Sequence, residues 1–127
     1  MDSLRIEATE DSPFVNLDFA ANKLLISGES RPENASKFYA PVLKWIGDME
    51  ALLPNQKETS SFVFKLDYFN SISAKYIMDI ILVLKKYIDK GYKVNIEWHY
   101  DKRDDDMLDA GKEYADAAAI KFDFIEF

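Results

Sequence analysis

The chain has 127 residues, 48% of them hydrophobic and 14% aromatic, with 4 Gly, 4 Pro and no Cys. That is enough apolar material for one compact core over residues 1–127, and it excludes a disordered, collagenous or disulfide-stapled chain. Lys and Arg total 16 against 23 Asp and Glu, a net charge of -7, which repels phosphate backbones and anionic lipid and argues against nucleic acid or a membrane as partner.

Three short strands are expected over residues 4–8, 14–17 and 23–27, separated by turn-forming Asp11-Ser12-Pro13 and Ala21-Asn22, and together they read as an antiparallel meander. Over residues 34–53, Phe38, Val42, Trp45, Ile46, Met49, Leu52 and Leu53 recur at helical spacing, with Pro41 inside the pattern as an expected kink or restart. A polar connector covers 54–60, and Phe62, Phe64, Leu66 and Tyr68 then alternate as a strand over 61–68. The strongest helical stripe follows, from Tyr76 and Ile77 through Leu84 to Ile88, with Lys85, Lys86 and Lys90 in the last turns and Gly91 as the stop. Val94, Ile96, Trp98 and Tyr100 alternate as a further strand. Residues 104–119 read as a short helix, and Phe122, Phe124 and Ile125 close the chain as a last strand.

Strand, helix, strand, helix, strand in the second half implies parallel neighbours joined by right-handed crossovers. The expected fold is therefore α/β: a mixed sheet of about six strands, antiparallel at the N-terminus and built of parallel β-α-β units afterwards, with helices covering the sheet. No run reaches the ~18 apolar residues of a membrane span, and residues 1–11 lack the apolar core of a signal peptide, so a soluble cytoplasmic protein is expected.

Most catalytic templates fail on inventory. His99 is the only histidine, and alternation puts it with Asn95 and Glu97 on the face opposite Trp98, where a plain sheet-face role outweighs a base or ligand. Asp104, Asp105 and Asp106 fan out by about 100° each on a helix and cannot all converge on one ion; acids in a first turn complement the helix dipole instead. Gly28, Gly47, Gly91 and Gly111 are isolated, so no phosphate-binding loop exists and no cofactor is expected. Phe38, Tyr39 and Trp45 fit core packing better than a ligand surface. Residues 101–127 hold nine acids and four bases, an acidic face that either solubilises or steers a basic partner.

One place departs from pattern. The strongest helix begins after Phe69-Asn70-Ser71-Ile72-Ser73, at the C-terminal end of a parallel strand, and its first turn carries Lys75 and no acid. A hydroxyl there can cap the exposed amides, and phosphorylation would bring about -1.5 to -2 of charge to the same spot.

Several stretches resemble the SiaC family of bacterial regulatory phosphoproteins: Gly28-Glu29-Ser30-Arg31-Pro32-Glu33-Asn34, Phe38-Tyr39-Ala40-Pro41 with Trp45-Ile46, and Leu66-Asp67-Tyr68-Phe69-Asn70-Ser71 with Ser73 and Lys75. Val94-Asn95-Ile96-Glu97-Trp98-His99-Tyr100 and Asp104-Asp105-Asp106-Met107 with Gly111 continue the likeness. The resemblance implies a non-enzymatic partner switch, broadly similar to the STAS-type anti-sigma factor antagonists. It implies a Ser/Thr protein kinase of the histidine-kinase-like ATPase type, a PP2C-type phosphatase and a GGDEF diguanylate cyclase as partners. The unmodified form would bind and activate the cyclase and so promote cyclic-di-GMP signalling and biofilm or aggregation. Carried over by position, the acceptor falls on Ser71, with Ser73 as the alternative because Ile72 stands where a small polar residue is common. Asn70, Ser71, Ser73 and Lys75 are then the expected partner-binding residues. Two other readings remain: an antagonist of an anti-sigma factor that controls transcription, and a receiver-like metal- or ligand-binding domain using Asp67, Asp101 and Asp104 to Asp106.

Overall fold

A computed structural model describes all residues, Met1–Phe127. Six strands form one sheet in the order β1-β2-β3-β4-β5-β6. They are β1 Leu4–Ile6, β2 Phe14–Asp18, β3 Lys23–Ser30, β4 Ser60–Phe69, β5 Val94–Tyr100 and β6 Asp123–Glu126. The first three pair antiparallel and the last three join in parallel, the expected mixed sheet. The crossovers are α1 (Ala35–Asp48, continued by a 3-10 segment Met49–Asn55), α2 (Ser71–Asp89) and α3 (Asp105–Ala118).

Register shows where the core lies. Val15 pairs with Ile26, Ile26 with Phe64, and Phe64 with Trp98, and all four are at most 1% exposed. Their immediate chain neighbours, such as Asn16, Leu25, Val63 and Glu97, are only half-buried. One face of the sheet is therefore sealed and the other is open. The helices cover the sealed face alone: successive right-handed crossovers that step in one direction return on the same side, and α2 accordingly packs against α1 and against α3. Because the strand order never reverses, the sheet has no switch-point crevice of the doubly wound kind.

Several boundaries differ from the sequence expectation. Strand β3 runs on to Ser30 rather than stopping at 27. Gly28, at φ +97, sits at an irregularity in the pairing with β4 that lets the strand continue at shifted register. The expected helix over 34–53 is divided, with the 3-10 segment taking over at Met49 and reaching Asn55 through Pro54. Pro41 neither breaks nor restarts α1. It lies on the exposed side of the helix, where losing the amide that would pair with the Lys37 carbonyl is best tolerated. No helix is long and apolar enough to cross a membrane.

The packing of α3 on β5 depends on Gly111. A Cβ there would lie 2.5 Å from Trp98 Cδ1, against an indole that is 1% exposed and whose N–H donates to the Met107 carbonyl at 2.9 Å. In an open helix Gly→Ala gains about 1 kcal/mol. Here Gly111→Ala is expected to cost about 1–3 kcal/mol through overpacking, read as a lower urea midpoint at unchanged slope.

A second expectation concerns alkali. Burial, aided by the charges of Glu50 and Asp48, pushes Tyr87 from 10.0 up to about 12, and burial also raises Tyr39 and Tyr114. Groups whose folded pKa is raised hold their protons in the native state, so their contribution is whole below pH 10 and is lost as pH climbs toward 12. Urea midpoints measured from pH 9 to 12 should fall over that window, in step with phenolate absorbance.

Candidate functional site: the N-terminus of α2

Helix α2 starts where β4 leaves the middle of the sheet, between α1 and α3. Its cap is Asn70, not a serine. Asn70 has extended backbone (φ -87, ψ 174), and its Oδ1 accepts the Ser73 amide at 2.9 Å. Its own amide donates to the Ser30 carbonyl at 3.0 Å, and its carbonyl receives the Ala74 amide at 3.0 Å. The cap role considered for the Ser71 hydroxyl is thus filled by its neighbour.

Ser71 is the first helical residue and is exposed. As the first two positions of the helix, Ser71 and Ile72 have amides with no intrahelical acceptor. The first turn contains no acidic residue, so the positive end of the dipole is uncompensated there. Lys75, one turn on and also exposed, holds its ammonium 4.9 Å from the centroid of the Tyr76 ring. Two large side chains close to the serine in the chain are exposed to solvent, Ile72 at 62% and Tyr68 at 49%. Beside them an apolar hollow of about 470 Å³ opens between α2 and α3, lined by Phe69, Ala74, Met78, Ala110 and Tyr114.

Ser73 was expected as a second acceptor and a surface contact, and the fold withdraws it from both roles. It is 0% exposed, and its Oγ accepts a hydrogen bond from Ser30 Oγ at 2.9 Å. Of the four residues expected at the surface, Asn70 is half-buried while Ser71 and Lys75 are open to solvent.

The acidic candidates take structural positions. Asp67, Asp101 and Asp104 do line one shallow hollow, but Arg103 lies in it and forks onto Asp101 at 3.1 and 3.2 Å, holding that carboxyl down at about 2. Asp104 Oδ1 caps α3 by accepting the Met107 amide, while Asp105 and Asp106 occupy its first turn. Nowhere do three acidic or histidine side chains gather in metal-binding geometry. His99 pairs with Glu97 at 2.9 Å on the open sheet face. Tyr39 and Trp45 are core residues at 0% and 7% exposure, and Phe38 packs partly buried against the same core.

Residues 6–127 match the profile described as SiaC family regulatory phosphoprotein. The chain belongs to the SiaC family. An uncharacterized protein of Pseudomonas aeruginosa strain UCBPP-PA14 is 29% identical over 122 residues, covering 96% of this chain and 94% of its own length. The crystal structure of apo-SiaC from Pseudomonas aeruginosa superposes with a TM-score of 0.82 at 28% identity, over 99% of this chain and 98% of that one. A chain in the crystal structure of diguanylate cyclase SiaD in complex with its activator SiaC, from the same species, superposes at 0.85 with 27% identity, over 98% and 99%. This SiaC-family chain is therefore a regulatory phosphoprotein with the mixed six-stranded α/β fold of those structures. Sequence reasoning reached the α2 tip from its missing acid and its hydroxyls. It missed Asn70 as the cap, although Asn is among the best capping residues, because three hydroxyl or amide candidates stand within four residues.

The division of labour between Asn70 and Ser71 is measurable. Asn70→Ala should lower stability by about 1 kcal/mol, the usual worth of a helix cap. Ser71→Ala should stay within about 0.5 kcal/mol of the parent, as a surface change does. Urea unfolding of the two variants side by side checks this.

Proposed function

We propose that this protein is a phosphorylation-controlled activator of a GGDEF diguanylate cyclase, with Ser71 as the acceptor. The observation that carries this reading is an exposed serine hydroxyl at the first position of α2, released from capping by Asn70, with exposed Ile72 next to it in the chain and exposed Tyr68 three residues before it. It occurs in a chain that superposes on the complex of SiaD with its activator SiaC. The unmodified surface around Asn70, Ser71 and Lys75 docks the cyclase and promotes cyclic-di-GMP synthesis. A kinase of the histidine-kinase-like ATPase type moves the γ-phosphoryl of ATP to Ser71 Oγ, with ADP leaving and the hydroxyl proton passing to the kinase's base. A PP2C-type phosphatase hydrolyses the ester. ATP and cyclase both place these steps in the cytoplasm.

The switch needs no change of fold. A phosphoryl group at the first helical position gains the free amides of Ser71 and Ile72 and the ammonium of Lys75, four residues along the same face. It is thereby held as a hydrated dianion on a surface that a partner must dry. About 3 kcal/mol of interface penalty lowers affinity roughly a hundredfold. Ser71→Ala is expected to bind and activate the cyclase like the parent, whereas Ser71→Asp, with one charge of the two, should weaken binding by at least about tenfold. Equal binding of the two variants by calorimetry would overturn the proposal.

A further inference from the structure

Beneath the exposed serine lies a buried chain of hydroxyls that the switch chemistry does not use. Ser30, at the end of β3, Tyr39 in α1 and Ser73 in α2 are each 0% exposed. Ser30 Oγ is 2.5 Å from the Tyr39 hydroxyl and 2.9 Å from Ser73 Oγ. A serine hydroxyl has one proton, and Ser30 gives it to Ser73, so the Tyr39 phenol is the donor to Ser30. A phenol holds its proton at neutral pH in any case, and burial raises the Tyr39 pKa further.

The contacts of Ser30 with the α2 tip close a ring that leaves Ser71 on its outer side. The Asn70 amide donates to the Ser30 carbonyl, the Ser73 amide donates to Asn70 Oδ1, and Ser30 Oγ donates to Ser73 Oγ. The residues on either side of the Ser71-Ile72 pair are held from three elements at once. Only Ser71 and Ile72 are left outside. Ser30 and Tyr39 come from the Gly28 to Asn34 and Phe38 to Pro41 stretches singled out in the sequence, and neither reaches the surface at the α2 tip. Packing alone does not require the hydroxyls. Phe and Ala would fill the same space, the Tyr39 ring stacks on Tyr76 at 5.4 Å and 3° with or without its oxygen, and replacing a buried polar pair by apolar groups is often neutral.

We propose that Tyr39 is a positioning residue for the Ser71 switch. Through Ser30 it locks the first turn of α2, which presents Ser71 in one conformation and keeps Ser73 out of reach of a kinase. This deepens the functional reading above and rests on it only for the choice of acceptor. A rigid, preformed tip spares both kinase and cyclase the cost of ordering it on binding.

The test uses the full chain as Tyr39→Phe, Ser30→Ala and the double variant, followed by residue-resolved hydrogen exchange and by phosphosite mapping after incubation with the kinase and ATP. In Tyr39→Phe the amides from Ser73 to Ile77 should exchange about five- to tenfold faster, the factor that loss of one net hydrogen bond gives. Those from Leu84 to Ile88 should change less than about twofold, because the effect is local. As the three hydroxyls form one connected network, the effect of the double variant should fall well short of the sum of the single variants. The parent should be modified at Ser71 alone, and the variants should also accept phosphoryl at Ser73. Unchanged exchange in the first turn, uniform acceleration along α2, or additive effects would each overturn the lock. Faster first-turn exchange in a protein whose Ser71 no kinase modifies would uphold the lock and remove the functional reading instead.

Discussion

A single amide side chain governs the tip of α2. Asn70 satisfies the Ser73 amide with its Oδ1 and ties its own amide to the end of β3. In a helix that begins without such a cap a nearby hydroxyl can take the role, and here the nearest is that of Ser71. Because Asn70 does the capping, Ser71 sits one position inside the helix with its oxygen in solvent and the dipole's positive end beside it. Capping and an exposed hydroxyl are thereby carried by adjacent residues, Asn70 and Ser71.

The one-sided architecture explains why that tip is available. All helices return to the same face of the sheet, so the sheet buries one face and α2, in the middle of the layer, meets α1 and α3 along its length. Its N-terminus emerges at the C-terminal end of an interior strand, the end of a parallel sheet where ligands and partners are generally met. With strand order running straight through, no crevice forms beside it. The accessible features are then a helix tip, two exposed apolar side chains and a shallow hollow toward α3, a surface suited to another protein rather than to an enclosed small molecule.

The acidic residues near the C-terminus illustrate how local chemistry absorbs side chains that a sequence offers for function. Asp104 becomes a cap, Asp105 and Asp106 complement a dipole, and Asp101 is engaged by the guanidinium two residues away. Each of these roles is satisfied within one or two turns of chain. Gly111, by contrast, is explained only across the fold, by the Trp98 indole that leaves no room for a Cβ.

Periodicity alone determined the order and type of the elements, since alternation and the 3.6-residue stripe are written into consecutive residues and burying them dictates a mixed sheet layered with helices. The bare tip of α2 was equally legible, because charge in a first turn is local. What only the tertiary structure decided was what the inward-facing serine of the α2 tip meets. Ser71 and Ser73 have the same chemistry and lie two residues apart, about 200° around a helix, so one must face inward where the other faces out. The inward one, Ser73, is bonded to Ser30, itself bonded to Tyr39, and both are distant in sequence and arrive through β3 and α1. The extension of β3 to Ser30 past Gly28, which brings the first of them there, depends on pairing with β4 and left no periodic mark in the chain.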